Sequence, residues 1–339
     1  MTTMQTGTYD EALERLHRTG PEWDGWMSNH GPMAVDVLAR RNAGSAVHAW
    51  VEEYAERLDD LPAERRPIAG ADDERDALGD PARLGDWIAR FERAVEERPW
   101  EEVLADWWPR LLPGIAAGAT HGVIRTGHAV LALRAEDNSV RRAELAQALG
   151  YWAGRWQPVP HVTLLGSSHA SALVPGVPRI AVQEGGIRDR LGRLGAVEAW
   201  PSHVGAMAAP DDVPEALADL VDVVVGLYPR AAHGNPTMLV HAATAPHAVA
   251  RTLPSLPPEL WADAYAYAWS ATAAVLSCYL PAGLADVPEP VAVDDAWDAA
   301  LRHGGEHVLK LADVALDVHD RTGDPAAVAA ITRAVSLDA

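Results

Sequence analysis

Lysine is almost missing from this 339-residue chain: Lys310 is the only one, and every other member of the 28 basic residues is arginine. Arginine serves wherever a positive charge suffices, but it keeps its proton at any accessible pH, whereas an amine can lose it. The sequence thus retains one side chain able to act as a neutral amine. The same scarcity is what a GC-rich genome gives, so it counts only together with the residues around Lys310. Cysteine is equally rare: Cys278 stands alone, which excludes an internal disulfide framework and fits a reducing, cytoplasmic setting. It lies in an apolar run and reads as a buried small hydrophobe. Phenylalanine also occurs once, against 13 Trp and 7 Tyr. Positive charge is in deficit, with a net charge of −20. Nucleic acid and anionic membrane surfaces need a basic footprint, so neither is expected as a partner.

Long hydrophobic runs are lacking too. The N-terminus is polar, with no basic region leading into an apolar one, so no secretory leader is expected. The uncharged stretch from Ala264 to Ala285 is Ala-rich, carries Tyr265, Ser270 and Thr272, and is broken by Pro281. A spanning helix needs about 20 predominantly apolar residues, and this stretch is too weakly apolar. It reads as a helix buried in a soluble core.

What the chain does have is helical periodicity almost throughout. Helices are expected over Tyr9–Thr19, Pro32–Asn42, Ser45–Leu58, Ala82–Glu97, Glu101–Leu112, Gly114–Arg134 and Val140–Trp156. The second half gives Val213–Leu227, Pro236–Ala250, Pro258–Tyr279, Asp294–His319 and Pro325–Val335, with Gly and Pro punctuation between them. Only His161–Leu165 and Arg179–Gln183 carry strand signals, and Pro62–Asp80 and Pro158–Gly186 read as irregular. The expected fold is all-α: a single large helical domain over residues 1–339, with long loops and a buried Ala/Gly-rich centre. In Gly114-Ile-Ala-Ala-Gly118-Ala-Thr-His-Gly122, glycines recur every fourth residue. On a helix they form a smooth stripe for close packing, which brings His121 to the protein centre.

Most of the 14 histidines lie in polar helices or loops. Five have small or apolar neighbours. His30 precedes a Pro-initiated helix in Asn29-His30-Gly31-Pro32. His121 and His128 share a helical segment at a seven-residue spacing, about 10.5 Å along the axis. His241 lies in the apolar Leu239-Val240-His241-Ala-Ala-Thr244, where an unpaired imidazole is costly. His307 and Lys310 share one helical face in Glu306-His307-Val308-Leu309-Lys310. Any one of these reads as an ordinary core histidine. Together with the sole lysine they point to a metal site.

These four segments, in this order, resemble the questin oxidase-like proteins, and the resemblance runs from Tyr9 to His319. It implies an oxygenase that acts with O2 on a small aromatic substrate, a polyketide or quinone, opening the ring in some fungal relatives. It implies a non-haem Fe(II) held by four histidines and a carboxylated lysine. Carried over by motif, the lysine is Lys310 and the histidines come from His30, His121, His128, His241 and His307. Five candidates for four places leave one expected behind the ligands. His121 and His128 can both ligate one ion only from nearly opposite sides, or if Gly122 and Gly127 distort the helix; otherwise His128 is the one that moves behind the ligands or against the substrate. Chemistry is consistent with this: a neutral amine adds CO2 to become a carbamate, an oxygen ligand that arginine cannot supply.

Other readings remain. Some relatives were called Baeyer–Villiger-type enzymes, but no Gly-x-Gly-x-x-Gly lies between a strand and a helix to hold a flavin dinucleotide; NADPH acting from outside is compatible. A Zn or Mn hydrolase with a carbamylated lysine, drawing on Asp313 or Asp317, is an alternative. So is a metal-free polyketide-binding protein. Trp23, Trp26, Tyr265 and Trp269 are candidates for a substrate wall. Arg125, between His121 and His128, either neutralises a phenolate or pairs with an internal carboxylate.

Overall fold

The computed structural model describes residues 6–160 and 162–339, and it is all-α. Two compact units can be distinguished. The first runs to Pro158 and includes Arg251–Pro258; the second holds Val159–Ala250 and Glu259–Ala339.

The first unit begins with α1 (Thr6–Leu16) and a short hairpin of β1 (Glu22–Trp23) and β2 (Met27–Ser28). It continues with α2 (Gly31–Arg40), α3 (Gly44–Ala55), α4 (Gly70–Ala77), α5 (Leu84–Glu97), α6 (Trp100–Leu111), α7 (His121–Ala135) and α8 (Ser139–Gly154). Asn138 caps α8 by accepting from the Arg141 N–H. Helix α8 packs on both α5 and α7. Its Gly150 permits this closeness, since a Cβ there would lie 2.8 Å from the Ile88 Cα. Helix α7 is buried along most of its length because its residues are small or apolar, with His121, Arg125 and His128 carried inside. The tryptophans fill this core: Trp87, Phe91 and Trp107 cluster, and Trp108 meets Trp152 edge to face.

The second unit contains the short helices α9 (Ala170–Leu173), α10 (Ile187–Leu191) and α11 (Trp200–Gly205). Its longer ones are α12 (Val213–Ala231), α13 (Pro236–Thr252), α14 (Trp261–Tyr279), α15 (Val293–His303), α16 (Glu306–Thr322) and α17 (Pro325–Leu337). Helices α12, α15 and α16 all pack on α17. Helix α14, the uncharged stretch, is buried from Ala264 to Tyr279 except at Tyr267. Among the described residues no helix is long and apolar enough to cross a membrane. Cys278 is fully buried on α14, and burial pushes its thiol up to about 12.

Several expectations are corrected. The helix expected from Gly114 starts only at His121, because Gly118, Ala119 and Thr120 adopt successive left-handed conformations, with φ of 52°, 58° and 71°. The glycines still serve close packing, but against aromatic rings of the first unit. A Cβ at Gly114 would strike Trp156, one at Gly118 the Tyr151 hydroxyl, and one at Gly122 Trp152. The helix expected over Asp294–His319 is two, separated at Gly304, whose φ is 70°. Arg179–Gln183 is not a strand, nor are residues 162–165; His161 lies outside the described residues. The expected loop Pro62–Asp80 contains α4. Among the described residues the only sheet is the β1–β2 hairpin, which turns at Asp24-Gly25.

Candidate metal centre

In the first unit, the turn into α2 fixes His30. The Asn29 side chain donates to the Gly20 carbonyl at 3.0 Å and accepts the Gly31 N–H at 2.8 Å. The His30 N–H donates to the Tyr54 hydroxyl at 2.6 Å. His121 opens α7 directly after the left-handed run. Its Nδ1 lies 2.5 Å from the Gly118 carbonyl. A carbonyl only accepts, so Nδ1 carries the proton and Nε2 keeps its lone pair, the arrangement usual in metal-binding histidines. Tyr151, whose hydroxyl lies 2.5 Å from Ser28 Oγ, seals the Gly118 turn. The His30 and His121 rings meet edge to face with centroids 4.3 Å apart, and both are buried.

His128 lies two turns further along α7 with a different partner. Its Nδ1 is 2.6 Å from Asp36 Oδ2, which also accepts from Arg40 Nε at 3.0 Å. Burial opposes ionisation of Asp36, but Arg40, His128 and Arg251 outweigh it and hold the carboxyl below the usual range. Burial also pushes the His128 imidazolium down, with Asp36 resisting and Arg251 and Arg40 assisting. The result is an aspartate paired with a neutral imidazole. Arg125 takes the second of its two expected roles: Nε and Nη2 donate to Glu144 at 2.6 and 2.8 Å, and His17 reaches the same carboxylate at 2.9 Å. Its guanidinium thus serves an internal carboxylate through Nε and Nη2.

The second unit brings His241, His307 and Lys310 into one buried neighbourhood. His307 Nε2 lies 3.2 Å from His241 Nε2, with the rings nearly parallel. Two imidazole nitrogens bound at right angles to one ion, each at about 2.1 Å, stand about 3 Å apart, so this spacing suits metal binding. Burial pushes the His307 imidazolium well down, with the charge of Lys310 and then that of His241 adding to the effect. Lys310, one turn along α16, is 1% exposed. Its ammonium is pushed down by burial to about 7, against the opposing pull of Glu306. The neutral amine needed for carbamate formation is therefore accessible near neutral pH. Asp313, one turn further, is also fully buried.

The residues expected in a substrate wall lie in different settings. Trp26 is 60% exposed beside the hairpin turn, so it closes no interior wall. Trp269 is fully buried, its Nε1–H donating to the Val204 carbonyl at 3.0 Å, and Tyr265 is buried on the same helix. Trp23 is half-buried, with Arg57 over its ring. Sequence reasoning missed Asp36 and Glu144. Asp36 had a signal, a charge between valines inside an apolar helix face, where burial requires a partner. Protein-family models and curated proteins alike include none that matches this chain.

Proposed function

We propose that this chain is a non-haem iron-dependent oxygenase that oxidises an aromatic polyketide or quinone-like substrate with O2. Its metal ligands are drawn from the buried imidazoles and a carboxylated Lys310. The observation that carries the reading is Lys310 itself: the only lysine of the chain lies buried, with its amine pushed toward neutrality, one turn from the His307–His241 pair. A buried ammonium is costly, and a lysine, unlike an arginine, can shed that charge and become a carbamate. The neutral amine attacks the carbon of CO2 and releases a proton, giving a carbamate whose oxygen is an anionic ligand.

Iron(II), when bound, supplies the electrons that activate O2. The chain's own residues have simpler tasks. The Gly118 carbonyl keeps His121 in the tautomer that offers Nε2. Asp36 does the equivalent for His128, as a carboxylate behind an imidazole. Burial pushes the His307 imidazolium well down, which keeps that ring neutral and able to bind a metal.

Buried Asp313 on α16 favours one second reading, a Zn or Mn hydrolase, because carbamylated lysines also bridge hydrolytic metal pairs. Elemental analysis after anaerobic reconstitution separates them: one iron per chain supports the oxygenase, two zinc ions the hydrolase, and no metal a binding protein. Lys310→Arg keeps the charge but cannot form a carbamate. It should lose metal and activity together, and an iron-replete, active variant would defeat the proposal.

A further inference from the structure

Two aromatic rings on α3 join His30 to the protein surface. Trp50 and Tyr54 are four residues apart, which puts both on one face of the helix. Their rings stack with centroids 4.6 Å apart and planes 14° from parallel. Tyr54 is buried, whereas Trp50 is partly exposed. At the inner end, the Tyr54 hydroxyl accepts the His30 N–H at 2.6 Å and lies 3.5 Å from His30 Nδ1. The Arg57 guanidinium carbon lies 4.3 Å from the Tyr54 ring centroid. A cation so close opposes positive charge on the phenol ring. A phenol that keeps its proton is also harder to oxidise than an indole, so a positive hole on this pair rests on Trp50.

We propose that Trp50 and Tyr54 form an electron-transfer route that protects the metal centre when O2 is reduced with no substrate bound. Oxidising equivalents at the iron then have to be drawn from the protein, and a route that ends at solvent keeps them off the imidazole ligands. One electron leaves the Trp50 indole and passes through the Tyr54 ring and His30 to the iron, which is reduced by one electron. Tyr54 is a bridge and ends unchanged. The oxidised indole releases its N–H proton to water. A soluble thiol returns one electron and one proton to Trp50, and two thiols so oxidised join as a disulfide.

The inference rests on the metal-centre reading, and its test separates the two. Iron-loaded, reduced protein is mixed with hydrogen peroxide without substrate and frozen for electron paramagnetic resonance. Peptide mass spectrometry then locates the oxidised side chains. The wild type should show a tryptophan radical and carry its oxidation at Trp50. Trp26 is the internal control: at 60% exposed, it is the side chain that a freely diffusing oxidant reaches first. Trp50→Phe should keep iron and melting temperature, lose the radical, and accumulate oxidised histidine. Tyr54→Phe keeps a stacked ring but cuts the hydroxyl link to His30, and should lose the oxidation at Trp50. Oxidation at Trp26 in place of Trp50, or a radical that persists in Trp50→Phe, overturns the inference and leaves the metal reading intact. Loss of iron in Trp50→Phe also overturns it, by showing a structural role. A wild-type protein that takes up no iron removes both.

Discussion

Replacing Lys310 by methionine should stabilise the metal-free protein at neutral pH. The amine is buried and its proton is lost at about 7, against 10.5 for an ordinary lysine. Between these values the unfolded chain carries a proton that the folded chain does not, so stability rises with pH across that interval. Below about 7 the folded protein bears the full cost of burying the ammonium. At about 1.4 kcal/mol per pH unit, the gap between 10.5 and about 7 corresponds to about 5 kcal/mol, an upper bound. Methionine fills a similar volume and is indifferent to pH. The assay is urea unfolding of chelator-treated protein in CO2-free buffer, from about pH 6 to about pH 10. Other titrating groups act on both proteins, so the difference between them isolates the amine. That difference should be largest at about pH 6 and close toward about pH 10. A constant difference across this range, or a variant less stable than the wild type at neutral pH, would show that the amine is held charged and paired, and would refute the reasoning.

Two further outcomes follow from the first unit. Glu144→Gln leaves the buried Arg125 guanidinium without its anion and should cost about 3–5 kcal/mol in urea unfolding, whereas the Arg125→Met/Glu144→Met double variant should recover much of that. The wild-type Glu144 carboxyl is held below the ordinary 4.5 because Arg125 and His17 outweigh burial. Its stabilising contribution is therefore complete above pH 4.5 and is lost as pH falls through the folded value, a dependence that Glu144→Gln should lack. Gly118→Ala places a methyl 2.2 Å from the Tyr151 hydroxyl at a left-handed φ and should cost about 2–4 kcal/mol. A thermal melt unchanged from the wild type would contradict the turn that presents His121.

Helices were legible wherever apolar spacing and punctuation agreed. The pattern misled where two structures share one periodicity. Glycines at every fourth position suit a helix stripe, but here three consecutive left-handed residues make a turn whose glycines receive aromatic rings. Gly304 likewise ends α15 inside a continuous helical pattern, since its left-handed φ is invisible to a count of apolar residues. The hairpin escaped notice because its strands are two residues each. Its signal was the Asp24-Gly25 dipeptide, a strong marker of tight hairpin turns. At the site, the sequence could indicate that His241, His307 and Lys310 share apolar surroundings, because each lies on a periodic helix. It could not show that His128 faces Asp36 or that Arg125 faces Glu144. Those partners are 92 and 19 residues away, and only tertiary packing selects them.

Cys278 gives the chain a practical property. Thiol reagents attack the thiolate, and a fully buried sulfur whose proton is held to about 12 offers almost none at neutral pH. The protein should thus react with maleimides as though it contained no cysteine. A cysteine introduced at the exposed Trp26 would become the single labelling position, and a dye there would report on the hairpin that leads into His30 without disturbing the helical core.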